Sequence, residues 1–126
     1  MIKTINLKDI ANVEASIAVL EMEIELAKSE GITVLKLMHG YGSHGFGGVI
    51  LSAVRKRLLL LKKQQKIKQY FNGDKWNIFE EDVVELLNKD KSIVGDVDLN
   101  RNNPGITIVV VWYEVLYVSK KVRSWS

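Results

Sequence analysis

Apolar positions along this chain recur with two different periods, and each change of period marks an element. Thr4-Ile5-Asn6-Leu7 alternates, which predicts a short strand with Ile5 and Leu7 facing inward. Val13, Ile17, Leu20, Ile24 and Ala27 follow at spacings of four and three, one stripe of a helix, with Glu14, Glu21, Glu25 and Lys28 on its other side. Asn12 is a suitable N-cap for that helix and Gly31 a suitable stop. Val34 to Met38 is almost continuously apolar and predicts a central strand buried on both faces. A second helix starts near Phe46 or Gly48, with a stripe of Ile50, Val54, Leu58 and Leu61 that Leu51 widens. Ile67 to Phe71 reads as a third strand closed by the Asn72-Gly73-Asp74 turn, and Ile106 to Trp112, rich in β-branched residues, as a fourth.

The stretch between the last two strands is longer than a plain loop. Phe79, Val83, Leu86 and Leu87 predict a short helix there, with Glu80, Glu81 and Asp82 in its first turn, and Trp76 and Ile78 are candidates to pin the stretch to the core. The expected fold is α+β or α/β: a two-layer sandwich with a mixed four-stranded sheet in the order β-α-β-α-β-insert-β. It carries two main helices and a short extra one in the insert. Residues 1–126 form one expected domain, with the insert at about 74–103.

With 126 residues and 47% hydrophobic ones, the chain suits one domain with its own core. It has no cysteine, which excludes disulfides and thiolate metal sites. No signal peptide is visible, and the run from Ile106 to Val118, broken by Glu114, is too short to span a bilayer, so a cytoplasmic protein without a membrane partner is expected. The net charge of +3 is modest but unevenly spread. Residues 1–30 sum to −3 and residues 74–126 to −2, whereas residues 31–73 carry eight basic residues and no acid. Such a block is the electrostatic footprint of a polyanion binder, although many solvated helix faces look alike.

That block contains the most suggestive local feature. The strand ending at Met38 runs into His39-Gly40-Tyr41-Gly42-Ser43-His44-Gly45-Phe46-Gly47-Gly48, with five glycines and both histidines of the chain. A glycine-rich turn into a helix exposes backbone N–H groups that suit phosphate. No Lys-Ser/Thr pair follows the glycines, so it is not a P-loop, and two imidazoles without a nearby acid are a weak metal signal. His39 can contact phosphate or exchange a proton, or it can fix the loop by bonding a carbonyl. Tyr41 suits stacking on an unpaired base, and Phe46 suits packing into the core.

Within this order of elements, His39-Gly40-Tyr41-Gly42 resembles the His-Gly-x-Gly motif of the Smr (small MutS-related) domain family. The resemblance covers residues 1–73 and about 100–113, including the Asn103-Pro104-Gly105 entry to the last strand; the stretch 74–99 has no counterpart in the minimal domain. It implies a two-layer α/β fold and nucleic-acid binding, with DNA nicking or RNA cleavage in some members. The family's other motif, Leu-Asp-x-His on the first strand, is linked to nuclease activity. Here that place is held by Ile5-Asn6-Leu7-Lys8, and the basic residue common inside the glycine loop is Tyr41. Both departures favour binding over cleavage.

Three functions therefore compete. The first is a domain that holds the DNA or RNA phosphate backbone through His39, Gly40, Tyr41, Gly42, Ser43, His44, Gly45 and the basic helix residues Arg55, Lys56, Lys62 and Lys63. The second is an endonuclease with His39 as the catalytic group, where acids such as Asp9, Glu80, Glu81 or Asp82 would have to converge in space. The third is a protein-interaction module, binding a larger partner or a second copy through the insert and the last strand. No cofactor is expected, except a divalent metal if the chain is a nuclease.

Overall fold

The computed structural model describes residues 1–10, 12–40 and 46–112, with only the backbone described at Phe46 and Gly47. The elements are β1 (Ile2–Asn6), α1 (Val13–Glu30), β2 (Val34–Met38), α2 (Phe46–Lys63), β3 (Gln69–Asn72), α3 (Glu81–Lys89) and β4 (Ile106–Val110). Tyr41, Gly42, Ser43, His44 and Gly45 lie outside the described residues. So do Tyr113 to Val118, the far half of the run beginning at Ile106.

Local chemistry accounts for the boundaries of α1. Asn12 is extended, and its side chain accepts from Ala15 N at 2.8 Å; Gly31 ends the helix in the left-handed region at φ 73°. Pairing, rather than alternation, sets the ends of β1. It pairs with β2 in parallel along its whole length, Ile2 opposite Val34 through Asn6 opposite Met38, so the strand starts two residues before Thr4. The last two residues of the expected fourth strand leave the β2 and β3 ladders. Val111 N instead donates to Thr33 O at 2.8 Å, and Trp112 Nε1 to Ile32 O at 3.0 Å.

The sheet order is β1-β2-β4-β3, with β4 antiparallel to both neighbours. β4 fills the central slot and is buried throughout, as its β-branched sequence requires. The fold is thus α+β with a mixed four-stranded sheet, as expected. One face of the sheet, with Ile5, Leu35, Leu37 and Val109, packs against Leu20 and Ile24 of α1 and Val54 and Leu58 of α2. The residues between β3 and β4 cover the other face. Trp76, Val83, Leu86 and Ile93 pack there on Val34, Phe71, Ile106, Ile108 and Val110. The expected helix in this stretch forms and Trp76 is fully buried, but Ile78 and Phe79 are not core residues: they precede the helix and are 51% and 90% exposed.

Lys36 lies in the middle of this second core. Its side chain points away from α1 and α2, and its Nζ is 2.6 Å from Asp96 Oδ1 and 2.6 Å from Asp98 Oδ2. Trp76 Nε1 donates to the other Asp96 oxygen at 3.0 Å, and Asn103 Nδ2 to the other Asp98 oxygen at 3.2 Å. A buried ammonium needs such partners, because burial alone disfavours its charge.

Candidate nucleic-acid interface

The ends of β1 and β2 bring together the two places where the sequence suggested chemistry. Leu7 N donates to Met38 O at 2.8 Å, which carries the chain from β1 past the end of β2. The Asn6 side chain then shapes the turn: its Oδ1 accepts from Lys8 N at 2.8 Å, and its Nδ2 donates to Asp9 Oδ2 at 3.0 Å. Lys8 is exposed, and its stem lies across Gly40, where an added Cβ would sit 3.9 Å from Lys8 Cγ. Gly40 has φ 76°, a conformation that other residues adopt only under strain.

His39 turns inward. It is 1% exposed, and both ring nitrogens are engaged. Nδ1 lies 2.6 Å from Gly40 O, which can only accept, so this nitrogen carries the proton. Nε2 then accepts from the Thr107 hydroxyl at 2.8 Å. Burial pushes the imidazole below its ordinary pKa of 6.5; the Gly40 carbonyl opposes this, and the positive charge of Arg55 adds to it. The histidine is therefore neutral near pH 7 and holds the loop in place. Of the two roles open to it in the sequence, this geometry fits the positioning one.

The backbone at His39 and Gly40 is occupied as well. Both N–H groups donate to Gly105 O, at 3.1 and 3.0 Å, so the Asn103-Pro104-Gly105 turn anchors the start of the glycine loop.

Two unsatisfied polar atoms lie at this end of the sheet. Arg55 Nε and Asn72 Oδ1 are both buried without a hydrogen-bond partner among the described residues. Asn72 stands directly across from Thr107, the residue that holds His39. Arg55 precedes Lys62 by seven residues, so the two share a flank of α2. Lys62 marks where that flank lies, since its Nζ donates to Gln69 Oε1 of β3 at 2.8 Å. β3 runs from Gln69 back toward the loop, so Arg55 faces the Asn72 end. Neither Lys8 nor Asn72 was chosen from the sequence. The ammonium at the first-motif position was the available signal for Lys8; nothing local marked Asn72.

The other basic residues are dispersed. Lys62 and Lys63 occupy the last turn of α2, about 24 Å along the axis from Phe46, and are not gathered at the loop. Lys56 is exposed, whereas Arg57 pairs with Glu21 at 2.7 Å. With Lys36 and Arg57 neutralised, six of the eight cations between residues 31 and 73 have no carboxylate partner among the described residues.

Of the candidate acids, Asp9 stands in the Lys8 turn, where Asn6 Nδ2 donates to it, while Asp82 lies far from the loop. Asp82 accepts from Gln69, whose strand partner is Val110, whereas His39 follows Met38, the partner of Ile106, at the opposite end of β4. Glu80 pairs with Lys75 at 3.7 Å. No group of three or more potential metal ligands occurs among the described residues, and an imidazole with both nitrogens engaged beside two cations does not fit a divalent ion. No described helix is long and apolar enough to cross a membrane.

Neither a family model nor a curated protein sequence matches the chain. Among solved structures it is similar to the Smr domain of Thermus thermophilus MutS2, with a TM-score of 0.54 and 16% identity over 87% of this chain and 98% of that one. The fold of the chain is Smr-like.

Proposed function

We propose that this chain is an Smr-type nucleic-acid-binding domain that grips the phosphate backbone where Lys8 and Arg55 flank the His39-Gly40 loop. The observation that supports this reading best is a buried donor on Arg55 that has no partner among the described residues and is close enough to His39 to lower its pKa, with an exposed lysine lying over Gly40. A phosphate oxygen supplies the acceptor that Arg55 lacks and the negative charge that Lys8 attracts. Gly40 lets the backbone approach closely, and Tyr41, Gly42, Ser43, His44 and Gly45 complete the contact. Lys56, Lys62 and Lys63 extend it along α2 as more distant phosphate contacts.

In this reading His39 is a positioning residue rather than the proton carrier of an endonuclease. Phosphodiester cleavage needs an activated nucleophile and a means of stabilising developing charge. The described residues offer the second through Lys8 and Arg55; the acid in that turn, Asp9, is tied to Asn6 Nδ2 at 3.0 Å and belongs to no group of three metal-ligating side chains. Fluorescence anisotropy with labelled single- and double-stranded DNA and RNA tests the proposal. The expected result is binding that weakens steeply with salt; absence of binding at low ionic strength refutes it.

A further inference from the structure

Phe79 is 90% exposed, an unusual position for a phenyl ring, and the backbone that presents it is firmly held. Phe79 N donates to Asn77 Oδ1 at 2.9 Å, and Ile78 N to Asn100 Oδ1 at 2.9 Å. Asn100 N in turn donates to the carbonyl of the fully buried Trp76 at 2.9 Å. The ring is thus an anchor whose backbone is already ordered, which lowers the entropic cost of docking it. Beside it stand Glu81 and Asp82, both exposed, and Glu80, which Lys75 partly neutralises. These acids repel phosphate, so the ring is not a platform for stacked bases.

On the opposite face of the sheet, α1 and α2 leave a groove of about 520 Å³ between them. Its floor is apolar, with Val13, Ile17, Ala53 and Leu60, and Lys56 stands on its rim with Glu14 across from it. Arg57, also on the rim, is committed to Glu21, which leaves Lys56 as the rim cation without a carboxylate partner among the described residues. The ring and the groove complement each other in polarity, acids beside one and a lysine beside the other. They lie on opposite faces, so one molecule cannot satisfy both.

We infer that Phe79 of one copy of this chain seats in the α1–α2 groove of a second copy, with Glu81 and Asp82 facing Lys56. Because ring and groove lie on opposite faces of each copy, the contact is heterologous and head-to-tail, and it propagates from copy to copy unless its rotation closes a ring of copies. It does not rest on the phosphate-binding reading, although both use Lys56, so nucleic acid and a second copy would compete for that lysine.

Sedimentation velocity over a concentration series tests this with two surface variants, each checked for folding by circular dichroism. Phe79→Ala removes the ring and keeps the groove; Ala53→Arg blocks the groove and keeps the ring. The wild-type chain should grow beyond a dimer as concentration rises, while each variant alone stays monomeric. An equimolar mixture of the two should form dimers and stop there, because one variant supplies only a groove and the other only a ring. A wild-type chain that stays monomeric throughout, a Phe79→Ala variant that associates like wild type, or a mixture that remains monomeric overturns the proposal.

Discussion

The ammonium of Lys36 lies 2.6 Å from the carboxylate of Asp96, joining β2 to a residue sixty positions further along the chain. Asp98 completes the arrangement, so a lysine that counts toward the basic block is spent inside the protein on the face opposite α1 and α2. Lys36→Ala leaves the largely buried carboxylate of Asp96 and the partly buried one of Asp98 around the lost cation. A destabilisation of about 3–5 kcal/mol is expected in urea unfolding, the range for breaking one side of a buried ion pair. A loss below about 1 kcal/mol would show that the network is better solvated than its geometry indicates.

The same network predicts how stability depends on pH. The hydrogen bond from Lys36 holds the Asp98 carboxyl below its ordinary 3.8, so its contribution is complete above 3.8 and is lost as pH falls through the lower folded value. Burial acts to lower the pKa of Lys36, but hydrogen bonds to Asp96 and Asp98 outweigh it and raise the value above 10.5. That contribution is complete below 10.5 and is lost as pH rises through the folded value. Lys36→Ala should flatten both flanks of the profile.

His39 adds a slope of its own. Its folded pKa is lowered, chiefly by burial, so below 6.5 the unfolded chain takes up the proton first. Stability should therefore fall as pH drops from 6.5 toward the folded value and level off below it. Thr107→Val removes the donor to Nε2 and should cost about 1–3 kcal/mol, the price of an unsatisfied buried acceptor. Denaturation at a series of pH values, with His39→Gln as the control lacking the titration, measures both effects.

Gly73 is required by close approach. A Cβ there would lie 1.6 Å from the carbonyl oxygen of Asn103, where the two ends of the stretch between β3 and β4 meet. Gly73→Ala should destabilise the fold by about 3 kcal/mol or more, because a backbone atom must move. Gly95→Ala, where an added Cβ meets nothing within 4 Å, should stay within about 0.5 kcal/mol of wild type. Thermal unfolding of the pair separates a steric requirement from a general effect of losing glycine.

What was legible in the sequence was local. The period of the α1 stripe, the Asn12 cap and the Gly31 stop depend on neighbouring residues, and each is found in the structure. Phe79 fits the apolar spacing of α3 but precedes its first residue, Glu81, and Glu80 is the N-cap; spacing alone did not place that boundary. The partners of Lys36, the pairing of Asn72 with Thr107, and the lysine stem over Gly40 depend on how distant segments meet. No short window of sequence contains that information. The motif at Ile5-Asn6-Leu7-Lys8 was legible as a departure from the Smr pattern, and the structure adds that its lysine reaches Gly40.

Incubated with Mg²⁺, supercoiled plasmid and RNA should both survive contact with the purified chain. Cleavage that disappears in His39→Ala would instead assign the imidazole a chemical role and reopen the endonuclease reading.

The most direct measurement is the salt dependence of nucleic-acid affinity for wild type and for Lys8→Glu/Arg55→Glu. Lys8 is exposed and Arg55 lies off the Ile50, Val54, Leu58 and Leu61 stripe; circular dichroism checks that the double variant folds before its affinity is read. If the two cations contact phosphate, affinity should drop and the slope of log K against log salt should become shallower by about 1.5. An unchanged slope and affinity would contradict the account and move the interface away from the His39-Gly40 loop.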